Sequence, residues 1–279
     1  MKALKNTLDK FYRDYDFRER LLHDPVEFPH RYKNPRDIEV SAFIASSLAY
    51  GKVGLFKPVV ERILSAMGTS PYEFLLEFRP EKHRGYFEGI KYRFNETGDL
   101  IALIFIMHKL LSRHTSLEKV FMQFYRPDSP TIKEGLIGFV AALLEINTSP
   151  VYGKDLRPAG LRQLLSSPVN GSACKRANLF LRWMVRDRDI DFGIWKAVPK
   201  NRLIIPLDTH IARISRCLGF TERKSQDWKM AEEITAALKR IDPEDPLKYD
   251  FALCHHGISG VCKGMREGTA CKGCVFNSF

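Results

Sequence analysis

The feature that most constrains this chain is the period of its apolar residues. Almost everywhere they recur at helical spacing, in short segments divided by proline or glycine. The pattern predicts helices over 6–22, 37–49, 54–67, 98–112, 116–124, 131–146, 157–166, 175–187, 209–218, 227–240 and 245–256. Leu203-Ile-Ile205, between Pro199 and Pro206, resembles a strand, but three residues make at best a short extended link. The expected fold class is all-α. The longest apolar run, Leu100 to Met107, is closed by His108 and Lys109; it is too short to cross a bilayer and suits a buried helix. There is no solenoid repeat, low-complexity stretch, nucleotide-binding glycine pattern or His-Glu-x-x-His helix.

Composition narrows the class further. With 44% hydrophobic and 28% charged residues in 279, the chain is neither disordered nor collagen-like nor a polytopic membrane protein. Met1 to Lys10 has no apolar core and no small-residue cleavage site, so a cytoplasmic, membrane-independent protein is expected. The formal charge is +11, and the stretch from Lys154 to Lys224 holds 15 basic against 6 acidic residues, which carries +9 of it. A field concentrated in this way favours a polyanion through phosphate contact and counterion release; a solvated basic face gives the same arithmetic.

Two segments carry residue types suited to chemistry. In Val169-Asn-Gly-Ser-Ala-Cys-Lys-Arg-Ala-Asn178 a glycine turn leads into a helix whose first-turn amides can hold phosphate. Lys175 opens that helix beside Arg176, a setting that favours a nucleophilic amine; a surface lysine beside a turn is the plainer reading. In Pro206-Leu-Asp-Thr-His210, Asp208 reads either as a helix N-cap or as a carboxylate, beside Arg213 and Arg216, that stabilises positive charge or steers a proton.

The pattern Gly171-x3-Lys175-x-Ala177-Asn178, the Pro-Leu-Asp208-Thr-His210 block and a Cys-x2-Cys tail together resemble the helix-hairpin-helix/Gly-Pro-Asp (HhH-GPD) superfamily of base-excision DNA glycosylases, of the endonuclease III type. The blocks FLRWMVR, IIPLDTHIARISRCLG and DPLKYDFAL are similar to an uncharacterised bacterial branch of it. The resemblance implies a two-lobed helical fold: a barrel lobe over 38–200, and a second lobe from 1–37 with 201–279. It implies that Lys175 attacks the sugar C1′ as a Schiff-base lysine and that Asp208 is the essential aspartate. Gly171, Ser172, Arg176, His210 and Arg213 would grip DNA, and Tyr50 would act as a stacking wedge. Lys175 and Asp208 are 33 residues apart, wider than the superfamily's usual separation, because residues 186–199 are added between them.

Four of the six cysteines, Cys254, Cys262, Cys271 and Cys274, fall in the last 26 residues. The resemblance makes them a candidate four-iron cluster; a zinc site completed by His255 or His256, or a loop of thiols, are the other readings. The expected function is thus a monomeric DNA N-glycosylase with AP-lyase action on damaged or abasic double-stranded DNA. The alternative is a non-catalytic nucleic-acid-binding protein on the same scaffold.

Overall fold

The computed structural model describes residues 2–260, 262 and 274–276. Among these the structure is all-helical and contains no strand; two isolated bridges, Tyr92 with Asn95 and Ser172 with Asp227, are its extended pairing. In chain order the helices are α1 (Lys2–Arg13), α2 (Phe17–Leu21), α3 (Pro35–Leu48), α4 (Val53–Met67), α5 (Pro71–Leu76), α6 (Pro80–His83), α7 (Thr97–His114), α8 (Leu117–Met122), α9 (Lys133–Glu145), α10 (Ser149–Tyr152), α11 (Ala159–Leu164), α12 (Lys175–Val185), α13 (Thr209–Cys217), α14 (Trp228–Ile241) and α15 (Asp250–Ile258). None of them is long and apolar enough to cross a membrane.

The predicted spans for α3, α4, α7, α8, α9 and α11–α14 lie within two residues of the observed ends. The predicted 6–22 helix breaks because Asp16 accepts hydrogen bonds from the amides of Arg18 and Glu19, which restarts the chain as α2. Helices α5, α6 and α10 were not predicted. Each has proline in its first turn (Pro71, Pro80, Pro150), where the missing N–H costs nothing, so residues read as breaks are helix starts.

The chain divides into two compact units, one of residues 21–170 and one of 1–20 with 171–279. The segment 171–200, grouped with the barrel in the sequence reading, falls in the second of these. In the 21–170 unit, α3 and α7 form the centre: α3 is buried from Asp37 to Leu48, and α7 from Asp99 to Met107, which includes the long apolar run. The two carboxylates in α3 are used to cap neighbouring helices. Glu39 accepts from the amides of Leu117 (2.9 Å) and Glu118 (3.1 Å) at the start of α8. Asp37 accepts from the Tyr72 amide (2.9 Å) and the Ser70 hydroxyl (3.0 Å) at the start of α5. Helix N-terminal amides and their dipole compensate these buried charges.

In the 1–20/171–279 unit, α1 is joined to the turn before α15: Asp9 accepts from the Tyr249 hydroxyl (2.6 Å) and pairs with Lys248 (2.9 Å). The added segment 186–199 folds back along α12, with the Phe192 and Trp195 amides donating to the carbonyls of Trp183 and Met184, both at 2.8 Å. Trp195 is buried edge-on against Phe180. The insertion therefore packs on the helix it follows.

Removing the Glu39 carboxylate orphans two amides of a buried helix start. Glu39→Ala should lower unfolding stability by about 2–4 kcal/mol, and Glu39→Gln, which keeps one acceptor oxygen, by less. Equilibrium urea denaturation measures both.

Candidate functional site

The site is built from three helices of one unit. Residues Ile204 to Leu207 are buried and carry an extended chain up to Asp208, the N-cap of α13. One carboxylate oxygen, Oδ1, accepts from the His210 and Ile211 amides, both at 2.9 Å. This fixes the carboxylate and turns Oδ2 outward.

Lys175 is the first residue of α12. The approach to it is tightly set: Gly171 has φ +73°, its carbonyl accepts from the Trp228 amide (3.0 Å), and Cys174, the residue before the helix, has φ +47°. The Cys174 amide donates to the Ser172 hydroxyl (3.2 Å), so Ser172 shapes the turn. From this start Lys175 Nζ lies 3.4 Å from Asp208 Oδ2, with the lysine side chain 33% exposed and the aspartate 14%. Two residues far apart in sequence thus form a half-open amine–carboxylate pair.

The third helix, α15, closes the back of the site. Cys254 directs its thiol at the same Asp208 Oδ2, 3.5 Å away. Helix α15 approaches α13 closely because Gly257 has no side chain: a Cβ there would stand 2.8 Å from His210 Cβ. One turn before Cys254, Asp250 is fully buried; it pairs through Oδ2 with Arg182 of α12, and its Oδ1 has no hydrogen-bond partner among the described residues. Asp250 and Arg182 were not singled out from sequence, and Cys254 was expected as a metal ligand rather than beside Asp208. The available signal was the i,i+4 spacing of Asp250 and Cys254 on one helix face, matched by Arg182 and Arg186 on another.

The other expected contacts are placed as follows. Arg213 donates to the Gly257 carbonyl (2.6 Å), 3.5 Å from His210 Nδ1, so it caps α15. Arg216 donates to the Arg223 carbonyl (3.4 Å), and Arg176 is partly exposed beside Lys175. Tyr50 lies in the other unit, partly buried; its hydroxyl donates to the Tyr92 carbonyl (3.0 Å) and to Asn95 Oδ1 (2.6 Å).

The cysteine tail is described at Cys254, Cys262 and Cys274. Among the described residues no three His, Cys, Asp or Glu side chains gather as ligands. Cys254 is directed at Asp208, Cys274 Sγ stands 3.8 Å from His256 Nε2, Cys262 is buried, and Cys271 lies outside the described residues.

A family model described as protein of unknown function (DUF2400) matches residues 24–259, most of the chain and both site motifs. The chain belongs to the DUF2400 family. No curated protein matches it, and no solved structure does. The membership corrects the resemblance to HhH-GPD glycosylases: an uncharacterised family was expected, but the match does not point to that superfamily and brings no activity with it. The physical reason is that both motifs are local helix-start signals. A glycine turn before a basic first residue and a Pro-x-Asp-Thr cap begin helices in many folds.

Burial pushes the Asp250 carboxyl up to about 6; Arg182 opposes the rise, and the Asp208 and Asp191 charges add to it. The native DUF2400 chain thus holds this proton more tightly than the unfolded chain does. Its contribution to stability is fully present below the ordinary carboxylate range and is lost as pH rises to about 6. Wild type should therefore lose about 2–3 kcal/mol relative to Asp250→Asn between those limits, measured by denaturation of both proteins across pH.

Proposed function

We propose that this chain is an enzyme acting on the sugar of a damaged or abasic nucleotide in double-stranded DNA, as an N-glycosylase with lyase chemistry. The observation that carries the reading is the 3.4 Å approach of Lys175 Nζ to Asp208 Oδ2 in a half-open setting. An amine beside a carboxylate that is already fixed through its other oxygen has a nucleophile and a proton acceptor in register. The net charge of +11 supports a polyanionic partner.

In this mechanism Asp208 accepts the proton that Nζ sheds, and the neutral amine attacks C1′. At an intact nucleotide the base leaves with the proton held by Asp208, and the C1′–O4′ bond then opens as a second amine proton passes to O4′; at an abasic aldehyde, water leaves. Either route gives a Schiff base between Nζ and C1′. Loss of a C2′ proton then breaks the C3′–oxygen bond and cuts the strand, and hydrolysis returns the lysine. Developing positive charge at the sugar is stabilised by Asp208 once its proton has passed on.

A second reading is favoured by one observation: Asp208 already caps α13 and Arg213 already caps α15. A nucleic-acid-binding protein without catalysis would use the same residues for folding alone.

Borohydride trapping separates the two. Wild type should form a covalent adduct with an abasic duplex, and Lys175→Gln should form none while keeping its fold. Asp208→Asn retains the cap oxygen, so it should fold and trap at least tenfold more slowly, in line with the usual worth of a positioned acid–base group. Salt-dependent duplex binding with no adduct from wild type overturns the catalytic reading.

A further inference from the structure

The 21–170 unit carries an exposed aromatic on a rigid, strained turn. Between the paired residues Tyr92 and Asn95 the chain reverses in two residues, with the Tyr92 amide donating to the Asn95 carbonyl (2.9 Å) and the Asn95 amide to the Tyr92 carbonyl (2.8 Å). At the tip, Arg93 has φ +51°, a left-handed conformation uncommon for a side-chain-bearing residue. Phe94, next to it, is 65% exposed, the largest exposure among the described aromatic rings. Water contact on this scale at a fixed protrusion works against the burial that places phenylalanine elsewhere in the chain.

The turn is held from below. Tyr50 and Tyr92 pack ring on ring (centroids 4.7 Å apart), each hydroxyl donates to the other residue's backbone carbonyl, and Tyr50 also donates to Asn95 Oδ1. Asn95 is fully buried and donates through Nδ2 to the Gly160 carbonyl (2.8 Å). Gly51 lies against the tip: it has φ +77°, and a Cβ there would stand 2.6 Å from both Arg93 Nη1 and the Tyr92 hydroxyl. The Arg93 guanidinium lies over the Phe94 ring (5.4 Å) and the Tyr50 ring (5.8 Å). Strain kept in place by this much surrounding structure is the kind that marks a working surface.

From this geometry we infer that the Arg93–Phe94 tip is a stacking platform for an unpaired nucleobase of DNA. The Phe94 ring offers a face to the base, and Arg93, with the exposed Lys52 and Lys91 beside the turn, offers positive charge to the flanking phosphates. The nearby carboxylates Glu96 and Asp99 belong to the capping box that starts α7. Charge and ring together select a nucleic acid over an apolar protein segment, for which the cations would be a desolvation cost. Tyr50 is in this arrangement the pedestal beneath the platform. The inference goes beyond the Lys175 reading and shares with it the class of partner; it concerns affinity, in the other unit.

The test is titration of the full chain into a single-stranded oligonucleotide carrying one 2-aminopurine, read by quenching and by anisotropy at low salt. Wild type should bind and quench. Phe94→Ala should bind about tenfold more weakly and quench little, and Phe94→Trp should restore both. Arg93→Gly, at ease at a positive φ, should keep the fold and give a shallower salt dependence. Unchanged affinity and quenching in Phe94→Ala, or no binding by wild type, overturns the platform. Borohydride trapping with Phe94→Ala at saturating protein separates the two proposals: an adduct with unchanged affinity removes the platform alone, and weakened affinity with no adduct from wild type removes the lyase alone.

Discussion

The 1–20/171–279 unit depends on a buried set of arginine–aspartate pairs. Arg182 pairs with Asp191 and Asp250, and Arg186 pairs with Asp191, Asp245 and Asp189, with both arginine side chains at most 3% exposed. The surrounding carboxylates raise the Arg186 guanidinium well above its ordinary range although burial acts the other way. Charges this deep are tolerated only when each is matched, and loss of one partner leaves the other uncompensated. The set is also a tie. It joins α12, the returning 186–191 segment, the turn before α15 and α15 itself, and through Asp189, which accepts from the Tyr12 hydroxyl, it reaches α1. Lys175 sits two turns before Arg182 on α12, and Cys254 one turn after Asp250 on α15. The register of these two helices at Asp208 is set by a network that touches none of the exposed site atoms.

Local signals in the sequence were read well where one residue dictates one outcome. The glycine turn and basic helix start at 171–175, the N-cap at Asp208 and the buried run at 100–107 each depend on neighbours within a few positions. Polar groups acting across long separations were not legible. Glu39 caps a helix 78 residues away, and Asp250 pairs with an arginine 68 residues back; helical spacing marks the face each lies on but not the distant partner it meets. The first-turn prolines of α5, α6 and α10 show a different limit, since proline both ends and begins helices and only the flanking geometry distinguishes the two.

The same distinction explains how a family resemblance and a site pairing part company. The motifs Gly171-x3-Lys175 and Pro206-Leu-Asp208 describe how two helices begin, and helix starts recur across unrelated folds. The family is set by the whole pattern over residues 24–259, and that pattern is DUF2400. The approach of the two residues to 3.4 Å is a separate fact: the residues added between them pack back along α12, so the wide sequence spacing does not hold the pair apart.

Stability alone is a poor account of Lys175. A cation in the first turn of a helix faces the positive end of the dipole, and α12 begins Lys-Arg with no acidic residue in that turn. The compensation available from Asp208 is small, because a pair open to water on the lysine side contributes about 0–1 kcal/mol. Asp208, for its part, completes the α13 cap with Oδ1 and gains nothing for that role from an amine at Oδ2. An alanine at position 175 would suit the helix better. The reaction proposed for this pair would supply a reason for a lysine at a position that the helix dipole disfavours.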